Sequence, residues 1–157
     1  MTSTAFEVRL LTRSDEEAVL ALARELAEWF RPMDQMALTI DLGTHEGFVA
    51  AQGGMIVGFL TFHLTGPAVA ELSWLGVRPD VQRQGVGNVL VSALEAELRA
   101  RGVRELEVST IDASSGEPAF ERARRFYQRH GFIPIRRDDN YFARGRHRLL
   151  LRKEIGE

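Results

Sequence analysis

Cysteine is missing from the chain altogether, which excludes a disulfide framework, a thiolate metal site and a cysteine nucleophile. Also missing is any apolar run near the roughly 18 residues of a membrane span. The opening residues, Met1-Thr2-Ser3-Thr4-Ala5-Phe6-Glu7, have neither the basic start nor the apolar stretch of a signal peptide. Net charge is nearly absent: 20 Lys and Arg stand against 22 Asp and Glu, a formal −2. There is therefore no global attraction to nucleic acid or anionic lipid, and an anionic ligand must be held by a local feature. His45, His63, His130 and His147 show no metal-ligand spacing and read as structural residues. His130 falls at a helix end, where a partial positive charge suits the dipole. These absences fit a cytoplasmic protein with no metal and no nucleic-acid or membrane partner.

What is present fits one globular domain over residues 1–157, with 45% hydrophobic and 27% charged residues. Phe6, Val8 and Leu10 alternate with Glu7 and Arg9, the period of a half-buried strand. Ser14-Asp15-Glu16-Glu17 reads as a capping box, after which Val19, Leu22, Ala23, Leu26 and Phe30 follow helical spacing as far as Pro32. A short second helix on Met33, Met36, Ala37 and Ile40 is one reading of 33–45. Phe48–Gln52, Gly53-Gly54 and Met55–Leu64 form a hairpin signal. After a turn at Gly66-Pro67, Ala68–Val77 reads as a strand. Val86, Val89, Leu90, Ala93, Leu94 and Leu98 stripe a helix ending near Gly102. A strand over 103–110, a helix over about 118–130, and extended segments at about 132–137 and 146–154 complete a mixed α/β order.

The sharpest local feature is Val77-Arg78-Pro79-Asp80-Val81-Gln82-Arg83-Gln84-Gly85-Val86-Gly87-Asn88. It leaves a strand, turns at a proline, presents two glycines and opens an amphipathic helix. Free amides at a helix start, aided by the helix dipole, make an anion site, and glycine lets backbone approach a phosphate. Arg83 and Arg78 are cations within reach of such a group. The segment lacks the third glycine of a dinucleotide fingerprint and the Gly-Lys-Ser/Thr of a Walker loop. On the loop alone, a glycine-rich turn with a polar lip is an equal reading.

Gln82-x-x-Gly85-x-Gly87 resembles the Gln/Arg-x-x-Gly-x-Gly/Ala signature of the GNAT superfamily of N-acetyltransferases. Leu72-Ser73-Trp74-Leu75-Gly76-Val77-Arg78-Pro79 looks like the strand that precedes it there. Independently, Ala123-Arg124-Arg125-Phe126-Tyr127-Gln128-Arg129-His130-Gly131-Phe132 is similar to that family's Ala-x-x-Phe-Tyr-x-x-x-Gly-Phe. The specific motifs lie within about 71–132, and the segment order agrees over nearly the whole chain. The resemblance implies a GNAT-like α/β domain: a mixed central sheet with a splayed strand pair, flanked by helices on both faces.

It also implies acetyl-CoA as cosubstrate. By match, Gln82, Arg83, Gly85, Val86, Gly87 and Asn88 meet its pyrophosphate, while free main-chain groups of Leu75 and Val77 pair with the pantetheine arm and one amide polarises the thioester carbonyl. Tyr127 matches the tyrosine that protonates the departing thiolate, a phenol of pKa about 10 facing a thiolate of similar basicity; packing alone is the other reading. Glu71 is the candidate general base, with a plain solvent-facing glutamate as the alternative. The family's usual asparagine before the Phe-Tyr motif is replaced by Asp112-Ala113-Ser114-Ser115-Gly116-Glu117-Pro118-Ala119-Phe120, where Ser114 and Ser115 are the nearest substitutes.

In such folds the acceptor cleft lies beside the first helix, the segment after it and the last strands. Here these supply Trp29, Phe30, Arg31 and Asp34, with Asp138-Asp139-Asn140-Tyr141-Phe142. The acidic pair beside aromatics suits a cationic amine, although a polar turn between two strands is the favoured reading. Arg144, Arg146, Arg148 and Arg152 read as a charged strand face. The function expected is N-acetylation of a primary amine by direct attack, with a small-molecule acceptor. Protein lysine or N-terminal acetylation, or a non-catalytic acyl-CoA-binding module, is the alternative, and a homodimer stays open as an assembly.

Overall fold

Alternation and helical spacing resolve, in a computed structural model that describes residues 6–156, into strands and helices in an α/β order. Met1–Ala5, within the stretch read above for a leader, lie outside the described residues. The elements are β1 (Glu7–Leu10), α1 (Glu16–Glu25), α2 (Pro32–Leu42), β2 (Glu46–Gln52), β3 (Met55–Leu64), β4 (Val69–Val77), α3 (Val86–Ala100), β5 (Glu105–Ile111), α4 (Pro118–Arg129), β6 (Ile133–Ala143) and β7 (Arg146–Glu154). They build one sheet in the order β1-β2-β3-β4-β5-β7-β6. Neighbours are antiparallel except β4 and β5, which are parallel and are joined through α3, the long crossover that parallel strands require.

The central strands are buried on both faces, and β6 at the edge is exposed. On one, α3 lays Val86, Leu90, Val91, Leu94 and Leu98 against Phe48, Leu60, Phe62, Leu72, Leu106 and Leu151. On the other, Val19, Leu22, Ala23 and Leu26 of α1 and the turn after it join Leu38 and Leu42 of α2 over Val49 and Phe59. Each large side chain removed from water in this way stabilises the fold by about 1.5–3 kcal/mol. The buried stripe of α3 includes Val91 rather than the expected Val89, which is 38% exposed.

Four local expectations change. The α1 helix ends at Glu25 instead of reaching Phe30, and Pro32 opens α2 rather than stopping α1, because a proline at the first helical position gives up an amide that had no partner there. The cap lies earlier than Ser14: the Thr12 amide and hydroxyl both donate to Asp15 Oδ2, at 2.8 and 2.9 Å, and Arg9 grips the same carboxylate. Helix α2 exists, but its Met33, Met36 and Ile40 are 81%, 69% and 70% exposed, and the neighbouring stripe of Leu38 and Leu42 is the buried one. Finally, β6 continues to Ala143, so 138–142 is strand rather than turn.

The Arg9 guanidinium, followed by the Thr12 groups, holds the Asp15 carboxyl well below the usual carboxylate range despite its burial. A depressed folded pKa stabilises above the unfolded value, near 4, and that stability is lost as pH falls through the folded one. Asp15→Asn should therefore lower stability at pH 7 by about 1 kcal/mol. Urea unfolding across pH should show the gap to wild type beginning to close below about pH 4.

Candidate active site

Strands β4 and β5 run side by side only from Val69↔Glu105 to Leu72↔Val108, and beyond Leu72 they part. The cause lies on the opposite edge of β4. Against β3, Trp74 faces Thr61 while Leu72 faces Phe62, which leaves Ser73 as one extra residue. A bulge of this kind bends its strand and increases the twist. The Ser73 hydroxyl is held by Thr61 Oγ1 at 2.7 Å and His45 Nδ1 at 2.9 Å. A cleft of about 1440 Å³ opens along the parted strands.

The register shows which main-chain groups face it. The Arg78 N–H donates to the Val57 carbonyl at 2.8 Å, and pairing runs unbroken from Gly58↔Val77 to Thr61↔Trp74. Hydrogen-bonded and non-bonded pairs alternate in an antiparallel ladder. Trp74 and Gly76 therefore direct their amide and carbonyl groups at β3, and Leu75 and Val77 direct theirs at the cleft. The Val77 carbonyl is met by the Gln82 side-chain amide at 3.0 Å, so Gln82 ties the loop to the end of β4 instead of offering that amide to a ligand.

The loop then turns through Arg83 and Gly85, whose φ values of 69° and 88° are left-handed. Gly85 is the N-cap of α3 and has open space where a side chain would stand. The amides of Val86, Gly87 and Asn88 begin the helix without an intrahelical acceptor and without a capping side chain. At Gly87 a Cβ would lie 2.8 Å from the Phe126 ring of α4. Its missing side chain is a helix-packing contact. Asn88 Oδ1 accepts from His130 Nε2 at 2.6 Å, so its side chain joins α3 to the end of α4. Burial, then Lys153, pushes His130 below its ordinary pKa, which favours a neutral ring over the cation expected at that helix end. Arg83 is exposed at the cleft, whereas Arg78 is turned aside onto Asp80 and Met55.

Tyr127 lies on α4 with 8% of its surface exposed, its ring meeting the edges of Phe126 and Phe132. It both packs in the core and lines the cleft. Burial pushes its phenol above the ordinary value, so it stays protonated near neutral pH.

Toward the start of β4 the cleft wall is polar. Glu71 Oε1 stands 3.7 Å from His63 Nε2, the rings of His63 and His45 stack at 4.2 Å, and His45 Nε2 is 3.7 Å from Asp41 Oδ1. Trp74 Nε1 donates to Asp41 Oδ2 at 2.7 Å. Burial raises the Glu71 carboxyl, against the opposing pull of His63 and Arg148. Burial likewise lowers His45. The reading of His45 and His63 as merely structural therefore gives way to a placement in the cleft wall. Two buried polar atoms in this wall, His63 Nδ1 and Ser109 Oγ, have no hydrogen-bond partner among the described residues.

Ser109 was not singled out in the sequence, and only its strand parity hinted at it. Ser114 and Ser115 are instead engaged within their own loop, by Asp112 and the Glu117 amide. Trp29, Phe30, Arg31, Asp34, Tyr141 and Phe142 line the outer cleft, but Asp138, Asp139 and Asn140 do not. Asp138 is held by Arg136 and Arg148, and Asp139 by Arg137, so the acidic pair is neutralised by neighbours. Arg146 and Arg152 are likewise paired, with Glu117 and with Glu105 and Glu107.

Comparison with known proteins bears on this geometry. The sequence model of the acetyltransferase (GNAT) family matches residues 16–132. An acetyltransferase from Pectobacterium atrosepticum is 31% identical over 106 residues, covering 65% of this chain and 74% of that protein. Among solved structures, the ribosomal-protein-S18-alanine N-acetyltransferase of Escherichia coli superposes with a TM-score of 0.79 at 23% identity, over 98% of this chain and 96% of the other. An aminoglycoside 6′-N-acetyltransferase complexed with coenzyme A gives 0.79 at 18% identity, over 96% and 98%. At these identities the structures establish a shared fold.

Gly87→Leu should drive a side chain into Phe126 and lower the thermal midpoint, with a loss of about 1–3 kcal/mol. Gly87→Ala paired with Phe126→Leu should recover part of it. Calorimetric melting that left Gly87→Leu equal to wild type would refute the packing role.

Proposed function

The chain belongs to the acetyltransferase (GNAT) family, and from that membership we propose that it moves an acetyl group from acetyl-CoA to the primary amine of a small molecule, with both held together in the cleft. The observation that carries this reading is a continuous line of main-chain groups. Leu75 turns its amide and carbonyl, and Val77 its amide, into the opening left by β5, and the uncapped amides of Val86, Gly87 and Asn88 follow. An extended amide-bearing arm can add to the free strand edge, and a diphosphate fits at the helix start. Open space at Gly85 and the exposed Arg83 beside it suit the same anion.

The thioester supplies an activated acetyl group, and the residues of this chain supply position and protons. The Leu75 amide is a fixed donor for the negative charge that develops on an oxygen during attack. Tyr127 Oη holds a proton for the departing sulfur. Burial makes the phenol a weaker acid, but a thiolate leaving beside it, equally withdrawn from water, becomes a stronger base for the same reason. Glu71, its carboxyl raised by burial, is suited to take a proton from an ammonium ion, which must become a neutral amine before it attacks.

The cleft mouth supports a small acceptor. Trp29 Nε1 donates to the Ala119 carbonyl at 2.9 Å, and Glu117 joins Arg31 to Arg146. The segment between α1 and α2 is thereby tied to the start of α4 and to β7, which narrows the mouth. The two structural relatives act on a ribosomal protein and on an aminoglycoside, so the fold by itself leaves the acceptor open.

Titration calorimetry should register acetyl-CoA binding, and thiol release should be found with a member of a panel of polyamines, amino acids, aminoglycosides and small peptides. Tyr127→Phe should reduce turnover about 100-fold while acetyl-CoA affinity stays within about threefold. Unchanged turnover in that variant removes Tyr127 from the chemistry, and a wild-type protein that takes up no acetyl-CoA at millimolar concentration removes the whole reading.

A further inference from the structure

The polar wall at the start of β4 holds more ionisable groups than acetyl transfer through Glu71 and Tyr127 uses. Asp41 of α2, His45 of the turn after it, His63 of β3 and Glu71 of β4 follow one another through spacings of 3.7 Å, a ring stack of 4.2 Å and 3.7 Å. All four line the cleft. Among the described residues no three such side chains are placed to hold a metal ion, so the arrangement calls for another use.

We propose that His63 is a relay residue for Glu71, storing the proton that Glu71 takes from the acceptor ammonium until the cleft empties. This rests on the acetyltransferase reading of the same cleft. Three features support it. His63 Nε2 faces Glu71 Oε1 at 3.7 Å, a gap closed by a small rotation or by one bridging water. His63 Nδ1 is buried without a partner among the described residues, so no hydrogen bond there pins the tautomer, and in the Nδ1–H form Nε2 can accept. The stacked His45, tied to Ser73 at the bulge, fixes the plane of the His63 ring.

The proton balance closes over the two protons that leave the nitrogen: the second, lost after attack, replaces the one Tyr127 gives to the departing sulfur, and the first takes the route through His63. The ammonium gives one proton to Glu71 and becomes the neutral nucleophile. Glu71 passes it to His63 Nε2, which restores the carboxylate and leaves an imidazolium. After the product leaves, the imidazolium gives the proton to water entering the cleft. The surrounding charges permit this. Of the neighbouring cations and anions, Arg148 is engaged by Asp138 and Glu107 by Arg152, while Asp41, 3.7 Å from His45, opposes the burial that lowers His45.

The first test is the pH dependence of turnover with acetyl-CoA and tyramine as the probe amine. H63Q should lose about 100-fold in kcat near pH 7, with the deficit shrinking to about threefold or less by pH 9.5, where more of the amine is already neutral. An equal loss at every pH, or no loss, overturns the proposal. The second test needs no acceptor. Carboxyl-carbon NMR should place the Glu71 titration about one pH unit higher in H63Q than in wild type, and an unmoved midpoint likewise overturns it. Should H63Q fail to fold by circular dichroism, H63N takes its place in both. Failure of wild type to bind acetyl-CoA in the calorimeter would strike the underlying acetyltransferase reading, whereas a wild-type-like H63Q strikes the relay alone.

Discussion

The site depends on the departure of β4 from β5 after Leu72. Parallel pairing that continued to Val77 would consume the main-chain groups that now face open space, and no cleft would exist. One residue too many on β4, Ser73, bends the strand, and a three-member contact of Thr61, Ser73 and His45 keeps it bent. Backbone groups left without partners are tolerated only where water or a ligand can meet them. The parted edge must therefore stay open to water or to a ligand, before any side chain is considered.

A second constraint concerns burial. The same wall that exposes free amides also withdraws Tyr127 and Glu71 from water, and desolvation moves both toward their protonated forms. In the phenol this preserves a proton to deliver. In the carboxyl it raises the proton affinity toward that needed to relieve an ammonium ion. One cleft thus holds two groups shifted the same way at separate positions along it, as the proposed proton donor and acceptor require.

Much of this was legible in the chain. The loop from Val77 to Asn88, the helix after it and the Phe126-Tyr127 pair carried the family resemblance, and regular spacing disclosed the order of strands and helices. What stayed hidden was whatever depends on partners distant in sequence. Ser73 gives no local sign of being an extra residue, because a bulge is defined by the strand opposite. The Met33, Met36 and Ile40 stripe of α2 looked like a core face, yet Leu38 and Leu42 were chosen by the sheet beneath them. The acidic Asp138-Asp139 pair looked available until its arginines folded beside it. His63 and Glu71 are eight residues apart across a turn, and only the β3–β4 register brings them face to face.

The contact of Gly87 with Phe126 links parts of the molecule that sequence treats as separate motifs. A ring next to the proposed proton donor fills the hollow left by a missing methyl group at the start of α3. Drift at either position would tilt one helix against the other, displacing the uncapped amides and the tyrosine together. Descendants of this protein are therefore free to remodel the acceptor mouth through Trp29, Tyr141 or Phe142 far more readily than the hinge between these two helices. Divergence in what is acetylated can proceed while the machinery of transfer stays locked.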